Sequence, residues 1–266
     1  MSKKIIDIFK NLNKFIRIFS IEILLNKGTI ISEIIGGLTL PIIIQLLTWK
    51  FVFSKTETIN NYTFNQMAIY IFITVLFLVI SDGFSVIEEM SRRIKNGSIE
   101  VFRLKPMSYF NLTLYTYIGR NIPFILATII ILVIFTIIYT KIHFIIPIIT
   151  IFLVAQFISF QISYIFSLFS YWFINHYLIN YVYYLSLQIF GGILIPINLW
   201  PEPYQSILKY NPFRIVISGV TDILLNPSAK SIFYFLILSF FYYVIFMFLI
   251  HFIENLTIKK YHSYGG

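Results

Sequence analysis

The four histidines of this chain, His143, His176, His251 and His262, stand far apart and form neither an HExxH pair nor a comparable metal-ligand spacing. Cysteine is absent, which excludes disulfides, thiol catalysis and any Cys-ligated zinc or cluster site. No glycine is followed by lysine, so the phosphate loop G-x-x-x-x-G-K-[ST] does not occur and the chain is not equipped to hydrolyse ATP by itself. No residue therefore stands out as catalytic or as a metal ligand, and no cofactor is expected on this chain. What remains is one dense charge cluster, "SVIEEMSRRIKNGSIEVFRLKPMSYF" (Ser85–Phe110), with three acids and five bases between long apolar runs. Charge there suits either a solvated loop or, if the segment is a rigid elbow, docking onto another protein, where complementary charges set register and partner choice.

The elements around the cluster are those of an integral membrane protein. Of 266 residues, 58% are hydrophobic and 12% charged, against about 25% charged in a soluble domain. Six segments reach the length of about 20 apolar residues that a bilayer crossing needs: Ile30–Phe53, Asn65–Ile87, Asn121–Thr140, Ile142–Phe169, Leu178–Ile197 and Ser231–His251. The third and fourth are joined by the tight hairpin "YTKIHF". The fifth contains Gly191, Gly192 and Pro196, which leave backbone groups unpaired at membrane depth, so it should bend or end inside the fold. With the N-terminus inside, 14 of the 20 Lys and Arg fall on the inner side, which puts both termini in the cytoplasm. The same rule accounts for the net charge of +9 without nucleic acid.

The first residues are not a signal peptide, because Lys3, Asp7, Lys10, Lys14 and Arg17 interrupt any apolar core. These charges share one helical face and Ile5, Ile8, Phe9, Leu12, Phe15, Ile16 and Phe19 the other, so residues 1–28 read as an amphipathic helix in the headgroup layer. It serves either as a plain anchor or as a mechanical element. In the cluster, Glu88–Arg92 and Glu89–Arg93 are i,i+4 pairs with the acid first. Lys95 suits a helix C-terminus, Asn96-Gly97 a stop, and Ser98 with Glu100 the start of a second short helix that Pro106 ends. The segment is either a solvated loop obeying the positive-inside rule or a rigid charged elbow built for docking.

The run "RRIKNGSIEVFRLKPMSYF" resembles the charged segment between spans two and three in the membrane subunits of type-two ATP-binding-cassette (ABC) exporters. The later run "GGILIPINLWPEPYQSILKYNPFRIVISGVTDILLNP" is similar to the G-G-x-x-x-P…P…P-F signature near that family's fifth and sixth spans. The resemblance covers nearly the whole chain, with one departure: "FRLKP" stands where the family more often has leucine and arginine before the proline. It implies an all-α, six-span permease forming one domain over 1–266, with an interfacial helix (1–28), a cytoplasmic coupling region (88–106) and outer re-entrant helices (198–230). A separate cytoplasmic ATPase subunit would carry ATP and Mg, and a second permease subunit, identical or related, would complete the translocation path in the bacterial cytoplasmic membrane. Carried over, Glu88, Glu89, Arg92, Arg93 and Lys95 are the residues that would meet the ATPase.

In the outer region, Tyr204, Ile207 and Leu208 give a short amphipathic stripe, and a second helix should run from Pro212 to Leu225. Together with Gly191, Gly192, Pro196, Pro201 and Phe213 these residues form either a gate or an interfacial aromatic belt anchored by Trp200, Tyr204 and Tyr210. Asp82 either lines a pathway or pairs with a loop arginine, and Glu33 snorkels or pairs near the inner end of the first span. Gln156, Gln161, Asn175, Asn180 and Gln188 suit a path or helix-to-helix bonds. Tyr177, Tyr181 and Tyr184 share a face that would take either an amphipathic substrate or a neighbouring subunit. Two rivals fit less well. A membrane-embedded enzyme needs convergent acids or histidines that are missing. An ion-coupled secondary transporter often has paired broken helices, and only the fifth span is clearly broken.

Overall fold

The computed structural model describes residues 27–60, 62–81, 83–99, 108–173 and 175–260, together with Ile21 and Leu25. The interfacial helix expected over 1–28 lies outside these residues but for its last positions. Asp82, the side chain of Glu33 and the second half of the expected coupling region (100–107) also lie outside them.

The described chain is helical apart from one small hairpin. Helix α1 (Lys27–Ser32) runs through a π-helical stretch, Glu33–Thr39, into α2 (Leu40–Phe53). A two-stranded hairpin follows, β1 (Thr58–Ile59) and β2 (Tyr62–Thr63), with Ile59 paired to Tyr62. Then come α3 (Phe64–Ile80), α4 (Gly83–Lys95), α5 (Tyr109–Tyr139), α6 (Ile145–Leu168) and α7 (His176–Phe190). Three short helices, α8 (Glu202–Leu208), α9 (Pro212–Val216) and α10 (Ser218–Leu225), precede the long α11 (Ala229–Lys260).

Local sequence explains most boundaries. Thr63 and Gln66 form a reciprocal capping box at the start of α3. Ser108 caps α5 by accepting from the Asn111 N–H, and Asn211 caps α9 by accepting from the Arg214 N–H. Thr113, Thr116, Thr128 and Thr136 return their hydroxyls to carbonyls four residues back along α5. That satisfies them without water, as a hydrocarbon setting requires.

The core is built around α3 and α6. Met67, Tyr70, Ile71, Phe77 and Ile80 of α3 are fully buried, as are Ile148, Ile151, Phe152 and Ile158 of α6. Helices α4, α5, α9 and α11 all pack on α6. Helix α2 is the outlier: it has no buried residue, and it packs against the core through the partly buried Ile42, Leu46, Trp49 and Phe53, with Leu38 of the π-helical stretch before it.

Among the described residues, five stretches are long and apolar enough to cross a membrane: Ile34–Phe53, Phe64–Lys95, Tyr109–Tyr139, Ile142–Tyr171 and Ala229–Thr257. The hairpin between the third and fourth spans forms as the sequence implies. The expected fifth span does not reach that length. Helix α7 has 15 residues, about 22 Å at 1.5 Å per residue, against a hydrocarbon core of about 30 Å. The expected second span also differs: α3 ends at Ile80, and α4 begins afresh at Gly83 after a turn at Ser81.

Candidate functional site

Helix α4 presents three faces. Gly83, Val86, Ile87, Met90 and Ser91 are buried in the bundle. Glu88, Arg92 and Lys95, spaced i, i+4 and i+7, form an exposed stripe. Between the two runs Ser85, Glu89 and Arg93, facing Thr113, Thr116 and Arg120 of α5. On this flank one carboxylate serves three arginines. Glu89 contacts the Arg93 guanidinium, which also donates from Nε at 2.9 Å. Arg92 approaches the carboxylate at 3.5 Å, and Arg120 approaches its other oxygen at 3.4 Å across to α5. The Arg93 guanidinium also lies 5.6 Å from the centroid of the Tyr109 ring. The helix stops where Asn96-Gly97 predicts, with Gly97 left-handed at φ +66°.

Two sequence expectations change here. The charged segment is not a free-standing loop helix; it is the last two turns of a helix whose other face is core. The Glu88–Arg92 pair does not form, because Arg92 turns to Glu89, and Glu88 has no ion pair among the described residues. Of the five coupling candidates, Glu88, Arg92 and Lys95 face outward, while Glu89 and Arg93 fix the helix to α5.

The N-terminal end of α4 sits flush against α7. A Cβ on Gly83 would come within 2.5 Å of the buried Tyr183 ring, and Phe84 packs edge-on to that ring at 5.8 Å. At its far end α7 breaks at Gly191 and Gly192, with Gly192 at φ +78°. Tyr70 of α3 donates to the Gly192 carbonyl at 2.7 Å, and the Ser218 N–H donates to the Gly191 carbonyl at 3.2 Å. Pro196 is buried, Pro201 starts α8, and Pro212 occupies the first turn of α9. Phe213 packs between Phe166 and Phe190, at 6.4 and 6.1 Å. The gate candidates therefore share one region. The helix expected over Pro212–Leu225 is two helices, broken at Ile217 (φ −122°, ψ −82°). Replacing Tyr70 with Phe removes the hydroxyl from this buried node, and we expect a loss of about 1–2 kcal/mol, read from the thermal midpoint in detergent.

A partly buried ion pair, Arg214–Asp222 at 2.7 Å, ties α9 to α10. Burial pushes the Asp222 carboxyl above its ordinary range, although Arg214 pulls it down. The β-hairpin closes over the same end: Asn60 donates to the Asn198 carbonyl at 3.1 Å, and Asn198 donates to the Tyr62 hydroxyl at 3.3 Å.

A family model described as "ABC-2 family transporter protein" matches residues 39–265, which include α4, the broken α7 and the region between α7 and α11. The chain belongs to the ABC-2 transporter family. No curated protein matches it. It is a multi-pass membrane protein, the permease component of a type-two ABC transporter, and membership implies a partner ATPase.

Of the described pathway candidates of the permease, Tyr184 and Gln188 meet and Tyr181 stands apart. Tyr181 is exposed on α7, beside Tyr177. Tyr184 is half-buried against Phe84 and accepts a hydrogen bond from the Gln188 amide at 2.7 Å. Several residues that organise these regions were not singled out from sequence: Arg120, Tyr70, Asn198 and the Arg214–Asp222 pair. Arg120 carried a signal, since a cation just inside a long apolar run needs a partner. Tyr164 on α6 and Glu254 on α11 form another such pair, hydroxyl to carboxylate at 2.6 Å. Tyr70 carried no signal within its apolar surroundings.

Proposed function

We propose that this permease is half of the membrane part of an ATP-driven exporter in the cytoplasmic membrane, with both termini inside. Two copies, or this chain and a related one, line the path, and each docks a separate ATPase that holds ATP and Mg. The observation that supports this reading most is the three-faced α4: its core face and its Glu89–Arg120 link make it rigid, while Glu88, Arg92 and Lys95 face outward for a partner. A rigid helix of this kind transmits ATPase closure to the bundle as a lever. The unburied α2 and the exposed Tyr177–Tyr181 face of α7 suit a second permease subunit, with the Gly191–Leu225 region as gate. An ion-gradient-driven carrier, the alternative, is not favoured by family membership.

The test is the triple charge reversal Glu88→Lys, Arg92→Glu and Lys95→Glu. These side chains are exposed, so we expect fold stability to change by no more than about 0.5 kcal/mol per site. Recovery of the ATPase that co-purifies with the unaltered permease should fall at least about tenfold, as rim charges set partner choice. Unchanged recovery and unchanged ATP turnover would remove the docking assignment.

A further inference from the structure

At the end of the bundle remote from α4, a cavity of about 630 Å³ opens between α9–α10 and the first turns of α11. Its cations are Lys209, Arg214 and Lys230, and the one acid lining it, Asp222, is already held by Arg214 at 2.7 Å. Lys209 and Lys230 are exposed and have no ion pair among the described residues. The mouth of the cavity is therefore net positive. The other wall is apolar. Phe233 and Ile237 of α11 line it and face outward, and Phe240, Val244 and Phe248 continue that exposed stripe along the helix.

The two chemistries are stacked along a helix that is long and apolar enough to span the membrane. Lys230 stands in the first turn of α11, at headgroup depth. Phe233 and Ile237 follow about one and two turns further in. Tyr210 and Tyr234, with ring centroids 6.4 Å apart, sit between charge and hydrocarbon, where tyrosines concentrate. We propose that this groove binds an anionic phospholipid, its phosphate between Lys209 and Lys230 and one acyl chain along Phe233 and Ile237. A free phosphate would leave the apolar wall unused. A second copy of this chain meeting the groove face to face would set two unpaired lysines against two more, with no unpaired acid to answer them. The proposal rests on the membrane setting alone and not on ATPase docking, so its test needs no ATPase.

The purified permease in neutral detergent is offered phosphatidylglycerol, phosphatidylcholine or tail-less glycerol phosphate, and bound lipid is counted by native mass spectrometry alongside the thermal midpoint. We expect retention of about one phosphatidylglycerol per subunit and a raised midpoint, with neither effect from the other two ligands. The Lys209→Gln/Lys230→Gln variant should bind phosphatidylglycerol about thirtyfold more weakly, and Lys209→Arg/Lys230→Arg should restore it. Ile237→Trp, which blocks the tail track and leaves both lysines, should also weaken retention. Equal retention of phosphatidylcholine, a Gln variant that binds like the unaltered chain, or a change of oligomeric state with no lipid dependence would each overturn the assignment.

Discussion

Replacing Glu89 with Ala should be among the most damaging changes in this protein that touches no core side chain. The carboxylate stands among three guanidiniums, and the side chains of Glu89 and Arg93 are only 14% and 16% exposed. Removing it takes from Arg93 and Arg120 a carboxylate that they share in a poorly solvated crevice. Deleting one member of a buried ionic cluster costs about 3–5 kcal/mol; solvent at the edge of this one brings our expectation to about 3 kcal/mol. Arg92→Gln is the internal comparison. Its side chain is 64% exposed, so its share of the cluster should be worth at most about 0.5–1 kcal/mol. Thermal midpoints of the two variants in the same detergent check the difference. The functional readout separates them in the other direction. Arg92→Gln should keep the fold and weaken ATPase recovery, whereas Glu89→Ala should release α4 from α5 and uncouple ATP turnover from transport even where the ATPase still binds. Equal midpoints for the two variants would mean that the Glu89 cluster does not hold the elbow.

Legibility from sequence divided along physical lines. Spans one, three, four and six could be read because a bilayer crossing is a composition signal, averaged over about 20 residues. Gly97 could be read because a left-handed stop after a basic last turn is local chemistry. The direction in which each charge points was harder. Counting i,i+4 offsets pairs Glu88 with Arg92 as readily as Glu89 with Arg93. Only the position of α5 decides that Glu89 faces Arg120 and Glu88 faces out, and Arg120 lies 31 residues away in the chain. The start of α4 was missed for a similar reason. The dipeptide Asp82-Gly83 in "LVISDGFSVI" is a local turn signal, but only the fold shows why the chain turns there: the turn brings Gly83 against Tyr183, 100 residues later. The gate region was half legible. Glycines and prolines marked the end of α7, whereas the break at Ile217 carries only the weak mark of the Ser218-Gly219 dipeptide that follows it, and α9 and α10 on either side of it both pack on α6.

Gly192 gives the second large effect, and it should separate gate from elbow. Its φ of +78° is a conformation that a branched residue adopts at a cost of about 1–2 kcal/mol or more. Space is also lacking: a Cβ there would stand 3.0 Å from Ser218 Cβ, Ser218 Oγ and the Tyr70 hydroxyl. Moving Tyr70 away forfeits its bond to the Gly192 carbonyl, worth about 1 kcal/mol, and crowding a packed site adds about 1–3 kcal/mol. Gly192→Val should therefore lose about 3–6 kcal/mol in total, on the sum of those contributions. Gly36→Ala is the contrast, because a Cβ at Gly36 meets nothing within 4 Å and φ there is not positive. Its effect should stay within about 1 kcal/mol, in the stabilising direction that alanine has in a helix. Since Gly192 is remote from α4, Gly192→Val should leave ATPase recovery intact wherever the protein still folds, and should abolish transport. Loss of ATPase binding in step with transport would instead mean that the elbow and the broken helix melt as one unit. A Gly192→Val midpoint matching that of Gly36→Ala would mean that the break in α7 is not held by its glycine.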